Sequence, residues 1–172
     1  PEGRVLWRVI LERPAVGLIA QADRALVAFA DGTMQVVNQD GTLGESQSSG
    51  VALSDAPMRA GDLLIFPTQA NGLVAFDAQT LTSRWQIDSV PPILRWAANG
   101  STLGLMTTDN AMLTVSMSAA EVIDRALLRE PGSLAGGSDL IAYTRGGVWR
   151  VDPDGVWSLE IPDAPPGGRA SA

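Results

Sequence analysis

The sequence predicts an all-β fold, β-propeller-like, of about four blades of four antiparallel strands, with a surplus N-terminal strand. Two observations predict it. The first is a series of turn pairs that follow hydrophobic runs: Asp31-Gly32 after ALVAFA, Asn71-Gly72 after LLIFPTQ, Asp109-Asn110 after TLGLMTT and Gly146-Gly147 after DLIAYTR. Their intervals are 40, 38 and 37 residues (71 − 31, 109 − 71, 146 − 109). Each pair suits a tight hairpin, because primed turns need positive φ and Gly, Asn and Asp tolerate it. The second is that every hairpin stands in the same frame of further strands and turns. Four strands in a period of about 40 residues mark a propeller blade.

The elements follow in order. Residues 3–11, GRVLWRVIL, read as an outer strand whose own unit is not in the sequence. Trp7 precedes Trp85 by 78 residues (85 − 7), two periods of 39. The fourth unit already has its last strand, so a longer propeller is expected. The blades fall at about 15–47, 51–88, 92–128 and 132–161, giving a propeller domain over 1–161. Residues 162–172 are a Pro/Gly-rich tail or linker. First strands are AVGLIAQ from Ala15, a weak one near 51–59, PILRWA from Pro92 and a short one near 133–135. Third strands are TMQVVN, LVAFD, MLTVS and VWRVD, from Thr33, Leu73, Met112 and Val148. Each is followed by a polar turn, such as Asn38-Gln39-Asp40-Gly41 or Asp77-Ala78-Gln79-Thr80. Fourth strands are clearest in LTSRWQI and VWSLEI, from Leu81 and Val156. SAAEVIDRALLREPG, from Ser118, has helical composition with a Pro stop, but the repeat requires a strand there. Runs such as LLIF and LVAF suit inner strands, which are covered on both faces.

Composition sets further bounds. Of 172 residues 45% are hydrophobic, which excludes disorder. Cys, His and Lys are absent, and all 12 basic residues are Arg. That removes disulfides, zinc-thiolate sites, Ser-His-Asp catalysis and Schiff-base chemistry. Carboxylates, hydroxyls and Arg remain, and a non-catalytic role is expected. The net charge of -7 with scattered Arg argues against nucleic acid as a partner. No apolar run reaches the roughly 20 residues of a membrane span. The N-terminal PEGRVLWR carries no signal-peptide core.

The stretch Ala75-Phe76-Asp77-Ala78-Gln79-Thr80-Leu81-Thr82-Ser83-Arg84-Trp85 resembles the PQQ-like repeat of quinoprotein-type β-propellers. That repeat ends in Ala-x-Asp-Ala-x-Thr-Gly-x-x-x-Trp, and Leu81 stands here where Gly is usual. Gly3-Arg4-Val5-Leu6-Trp7 is similar to its Gly-x-x-x-Trp end. The third unit, LRWAANGSTLGLMTTDNAMLTV, looks more like a WD40 or Tol-type repeat. The resemblance implies a superfamily that holds quinone-dependent dehydrogenases, an outer-membrane assembly lipoprotein and propeller domains on bacterial Ser/Thr kinases. The dehydrogenases have eight blades, a Ca2+ site and a quinone held over a Trp. No residue of this sequence matches those cofactor roles, so no cofactor is expected.

Candidate sites weigh as follows. Asp23, Asp62, Asn99 and Asp139 occupy or adjoin the first turn of each unit and would form an acidic interaction rim at one end. Asp152-Pro153-Asp154-Gly155 and Asn38-Gln39-Asp40-Gly41 have the start of an oxygen-ligand Ca2+ loop but lack its later carboxylates, so they read as turns. The five Trp residues, at 7, 85, 96, 149 and 157, read as core volume locking adjacent blades, each indole N–H bonded to a backbone carbonyl. The alternative for them is an aromatic binding surface. Glu12, Glu45, Glu121 and Glu160 show no spacing that pairs them for glycoside hydrolysis. The expected function is a non-catalytic module binding a protein partner or small ligand, a sensor or scaffold within a larger, extracytoplasmic protein. The alternative is a fragment of a PQQ-dependent dehydrogenase. Pairing of two half-rings into a homodimer is a further expectation.

Overall fold

The computed structural model describes residues 5, 7–129, 132–145, 147–152 and 154–160. Among them every regular element is a strand, and the strands form four antiparallel sheets of four. Sheet 1 holds β1 (Ala15–Ala20), β2 (Arg24–Phe29), β3 (Thr33–Asn38) and β4 (Leu43–Ser48). Sheet 2 holds β5 (Met58–Ala60), β6 (Leu63–Thr68), β7 (Gly72–Asp77) and β8 (Ser83–Asp88). Sheet 3 holds β9 (Ile93–Asn99), β10 (Thr102–Thr107), β11 (Ala111–Ser116) and β12 (Glu121–Leu127). Sheet 4 holds β13 (Ser133–Ala135), β14 (Ile141–Thr144), β15 (Gly147–Val151) and β16 (Trp157–Glu160). Each sheet is a meander in chain order. The helix-like composition after Ser118 is overridden: β12 pairs with β11. Two compact units result, Pro1–Ser89 with sheets 1 and 2, and Val90–Ala172 with sheets 3 and 4.

The hairpin turns are three residues long, where two-residue primed turns were expected. Residues 30–32, 69–71 and 108–110 link their strands, and the third residue is left-handed: Gly32 at φ +87°, Asn71 at +58° and Asn110 at +60°. Gly32 N–H donates to Phe29 O at 3.0 Å, and Asn110 N–H to Thr107 O at 3.1 Å. This is a type I turn closed by a left-handed residue, which matches strand twist as a primed pair does. The left-handed residues keep a spacing of 39 (71 − 32, 110 − 71). The Gly146-Gly147 turn includes Gly146, which lies outside the described residues.

Inner strands are buried on both faces. In β7 and β11 every residue but the last is buried, whereas β4 and β12 are mostly exposed. In the first unit Leu26, Ala28, Met34 and Val36 of sheet 1 meet Leu64, Phe66, Val74 and Phe76 of sheet 2. Phe66 and Phe76 pack edge to face, with centroids 6.0 Å apart. In the second unit Met106 and Met112 of sheet 3 meet Leu140, Ala142 and Trp157 of sheet 4. The weak first strand of the second repeat is real but short: β5 pairs only with Leu63–Ile65. Pro67, further along β6, therefore loses no bond to it. Where β5 has ended, the linker takes over: Leu53 bridges Thr68, and Gln69 Nε2 donates to Leu53 O at 3.1 Å.

Each of the first three sheets shifts register between its third and fourth strands, at Gln35/Val37, Ala75/Phe76 and Thr114/Val115. Such bulges bend and twist the strand that carries them. In sheet 1 the amide of Gln35 caps the irregularity, donating to Gly44 O at 2.7 Å and Val36 O at 3.1 Å.

The N-terminal segment departs from the expected outer strand at 3–11. Gly3, Arg4 and Leu6 lie outside the described residues, and residues 7–11 form no ladder. Val9 and Leu11 instead pack on Val27, Phe29 and Val37, on a face of sheet 1. Burying two apolar side chains against a face outweighs edge pairing for so short a segment. Trp7 Nε1 donates to Gln39 O at 2.7 Å, and Arg13 pairs with Asp31 and lies 4.4 Å over the Phe29 ring.

Candidate functional site

The polar turns after the third strands use up their own carboxylates. Asp77 Oδ1 accepts the N–H groups of Thr80 and Gln79, each at 2.9 Å, and Oδ2 accepts Arg84 Nη2 at 2.6 Å. The Thr80 N–H first, then Arg84 and the Gln79 N–H, hold this carboxyl far below the usual carboxylate range. Asp40 Oδ1 accepts the hydroxyl and N–H of Thr42, and Asp152 Oδ1 accepts the N–H groups of Asp154 and Val156. In the first hairpins Asp31 Oδ1 accepts Thr33 N–H at 2.9 Å, and Asp109 Oδ2 accepts Arg125 Nη2 at 2.6 Å. The Ca2+-loop-like turns are thus Asx turns, their oxygens turned to main-chain donors.

Asp23, Asp62, Asn99 and Asp139 lie at the turns joining first and second strands, within or beside them. The three Asp side chains are exposed, and Asn99 Nδ2 donates to Ser138 O at 3.4 Å. Among the described residues no three acidic side chains gather where a metal would be held. The Trp residues divide. Trp157 packs between sheets 3 and 4 as expected, whereas Trp7 is 42% exposed, and the indole N–H of Trp85 and of Trp157 finds no partner among the described residues. Trp96 is 41% exposed. Among the described residues only Trp7 shows the expected bond to a carbonyl.

Sequence reasoning missed a cleft in the first unit. It has a volume of about 380 Å3 and lies where β3 and β4 of sheet 1 splay from the turn of sheet 2 after β7. Sheet 1 contributes Arg24, Val36, Asn38, Gly44, Glu45 and Gln47, and sheet 2 contributes Gln79, Thr80 and Leu81. Arg24 ties the two sides together: Nη2 donates to Gln79 O at 2.5 Å, and Nε to Gln21 Oε1 at 2.5 Å. Gln21 in turn donates to Ala78 O at 2.7 Å. Gly44 keeps the floor low, since a Cβ there would meet Val36 at 3.2 Å. Leu81 is the position where the resembled repeat has Gly. It adopts φ +57° and is 7% exposed, so its side chain joins the core beneath the cleft. The signal for the cleft was local but spread out: Gln21 and Arg24 flank one turn, Gln79 to Leu81 form another, and Gly44 interrupts an outer strand.

Chemically the cleft offers a carboxylate, three amides, a hydroxyl and a guanidinium around an apolar floor. The side chains of Glu45 and Gln47 make no hydrogen bond among the described residues, and the outer edge of β4 carries no partner strand among them. The arrangement suits hydrogen bonding to an extended chain.

Four meandering sheets in tandem make this a protein of β-propeller type. The comparisons with solved structures agree. The chain is similar to BamB from Moraxella catarrhalis, at 14% identity over 85% of this chain and 52% of that one, with a TM-score of 0.62. It is also similar to the computationally designed Ika8 protein, at 12% identity over 83% of this chain and 44% of that one, with a TM-score of 0.54. The chain therefore spans about half the length of either. No protein-family model matches it, and no curated protein matches it in sequence.

Proposed function

We propose that the chain is a non-catalytic propeller module of the PQQ-like repeat kind, and that it binds a protein partner. The observation that carries this reading is the cleft of the first unit beside the open edge of β4. Glu45 and Gln47 stand there without hydrogen-bond partners among the described residues, and Gly44 leaves the floor accessible. An edge strand presents a row of main-chain donors and acceptors, and a segment of another protein adds to it as a further strand. The polar cleft then reads the partner's side chains. The likeness to BamB supports the propeller architecture on which this rests.

The test is photo-crosslinking from position 47 in an extract of the source cells, with position 150 on β15 as control. The reading expects one defined protein adduct from position 47, lost when Gly44→Trp fills the cleft. Adducts from position 150 alone would overturn it.

A further inference from the structure

One face of sheet 1 is covered by the chain's own N-terminal segment, and that segment is held as a bound peptide would be. Consecutive residues of a strand point to opposite faces. Val36 lines the cleft toward sheet 2, so Val37 lies on the other face, in one cluster with Val27 and Phe29. All three are buried, and Val9 and Leu11 of the segment pack on them.

The segment meets this face with every second residue. Trp7 stands on Gly41 and donates to Gln39 O at 2.7 Å. Val9 and Leu11 fill the apolar middle. Arg13 lies 4.4 Å over the Phe29 ring, pairs with Asp31 and donates to Thr33 Oγ1 at 3.2 Å. Arg8, Ile10 and Glu12, between these anchors, are exposed, Ile10 to 85%. A period of two is that of an extended chain. The anchors run from the turn after β3 to the turn before it, so the segment lies along β3 in the opposite direction.

Side chains alone do the holding. Among the described residues, 7–13 form no main-chain hydrogen bond to the sheet. The side chains of Arg13 and Asp31 are 47% and 52% exposed, where an ion pair contributes little. A segment with few buried contacts and no ladder opens far more readily than the sheet beneath it unfolds. Opening bares Val27, Phe29 and Val37 as an apolar patch, with the Gln39 carbonyl at one end and the Asp31 carboxylate at the other.

We propose that residues 7–13 are a displaceable strap, and that the face beneath docks an extended segment of a partner protein with tryptophan, two aliphatic residues and arginine at alternate positions. The apolar middle takes the aliphatic pair, the Asp31 carboxylate takes the guanidinium, and the Gln39 carbonyl takes the indole N–H. Strap and partner segment exclude one another, so the fraction of time the strap is open scales the apparent affinity. This surface is on the opposite face of sheet 1 from the cleft, shares no residue with it and does not depend on the cleft's role.

A fluorescent peptide of residues 7–14 stands in for the partner segment. Titrated into the whole chain carrying Val9→Ser and Leu11→Ser, it is expected to bind saturably and at least about tenfold more tightly than to the unaltered chain. Adding Asp31→Asn to the loosened chain should weaken that binding. A second arm needs no variant. In the isotope-labelled, unaltered chain, excess unlabelled peptide should move the signals of residues 7–13 to random-coil positions while β2 and β3 stay ordered. Equal affinity for the loosened and unaltered chains would overturn the proposal, as would absence of binding to a folded, loosened chain. Where the loosened chain does not fold, the second arm decides alone: signals of residues 7–13 unmoved by excess peptide overturn it.

Discussion

The indole of Trp7 rests on Gly41, its Cγ 2.8 Å from where a Cβ on that glycine would stand. Gly41 has φ +85°, and the indole N–H reaches the carbonyl of Gln39 two residues back. The turn and the N-terminal segment therefore define each other. A side chain at 41 would strain the backbone and also lift the segment off sheet 1. Gly41→Ala is expected to cost about 1–2 kcal/mol for the left-handed alanine, plus about 1 kcal/mol or more for the displaced indole. Gly50 is also left-handed, at φ +77°, with nothing within 4 Å, so Gly50→Ala carries the backbone cost alone. Denaturant midpoints of the two variants give the difference. Equal losses would show that Trp7 adds nothing.

Leu81 and Ala120 share a conformation, φ +57° in both, and are expected to respond oppositely to glycine. Ala120→Gly relieves the strain and removes one methyl, so a gain of about 0.5–1 kcal/mol is expected. Leu81→Gly relieves the same strain but empties a core position that is 7% exposed, at a loss of about 2 kcal/mol or more. Thermal unfolding of both reads the sign. Stabilisation by Leu81→Gly would mean that this leucine is not core.

Asp77 makes stability depend on acid. Its carboxyl is held below the ordinary value in the folded chain, so its contribution is present above the unfolded pKa of about 4. The contribution is lost as pH falls toward the lower folded value. Asp77→Asn is therefore expected to lower the urea midpoint at neutral pH and to flatten its decline on acidification. Parallel declines in the two proteins would refute the role of this carboxylate.

Gln35 holds the bulge of sheet 1 through two carbonyls. Gln35→Leu keeps the bulk and removes the donors, at an expected cost of about 1 kcal/mol. Amide exchange should quicken in β4 while β1 and β2 keep their protection. Uniform quickening across the sheet would show that the amide supports the whole sheet and not its outer strand.

The fold was legible because its period is written in backbone chemistry. Gly32, Asn71 and Asn110 are residues that tolerate positive φ, and they recur at one spacing. The turn type was not legible. Asn71-Gly72 reads as a two-residue pair, yet Gly72 is already in β7. Leu81 and Ala120 were harder still, since neither announces a left-handed residue; only the glycine of the resembled repeat pointed to 81. β5 was faint because the linker around Leu53 does part of a strand's work. The N-terminal segment has a strand's composition, but what it packs against is decided in three dimensions. For the same reason the cleft escaped notice: Arg24 and Gln79 are 55 residues apart in sequence.

The recurrent bulges give each of the first three sheets an irregular joint at its fourth strand. β1 to β3 and their counterparts hold the period and the buried positions, while the fourth strand joins across a register shift. A length change in that strand meets a joint already irregular. Drift can thus accumulate on the outer strands without erasing the frame, so sequence identity with other propellers can fall very low while the architecture endures.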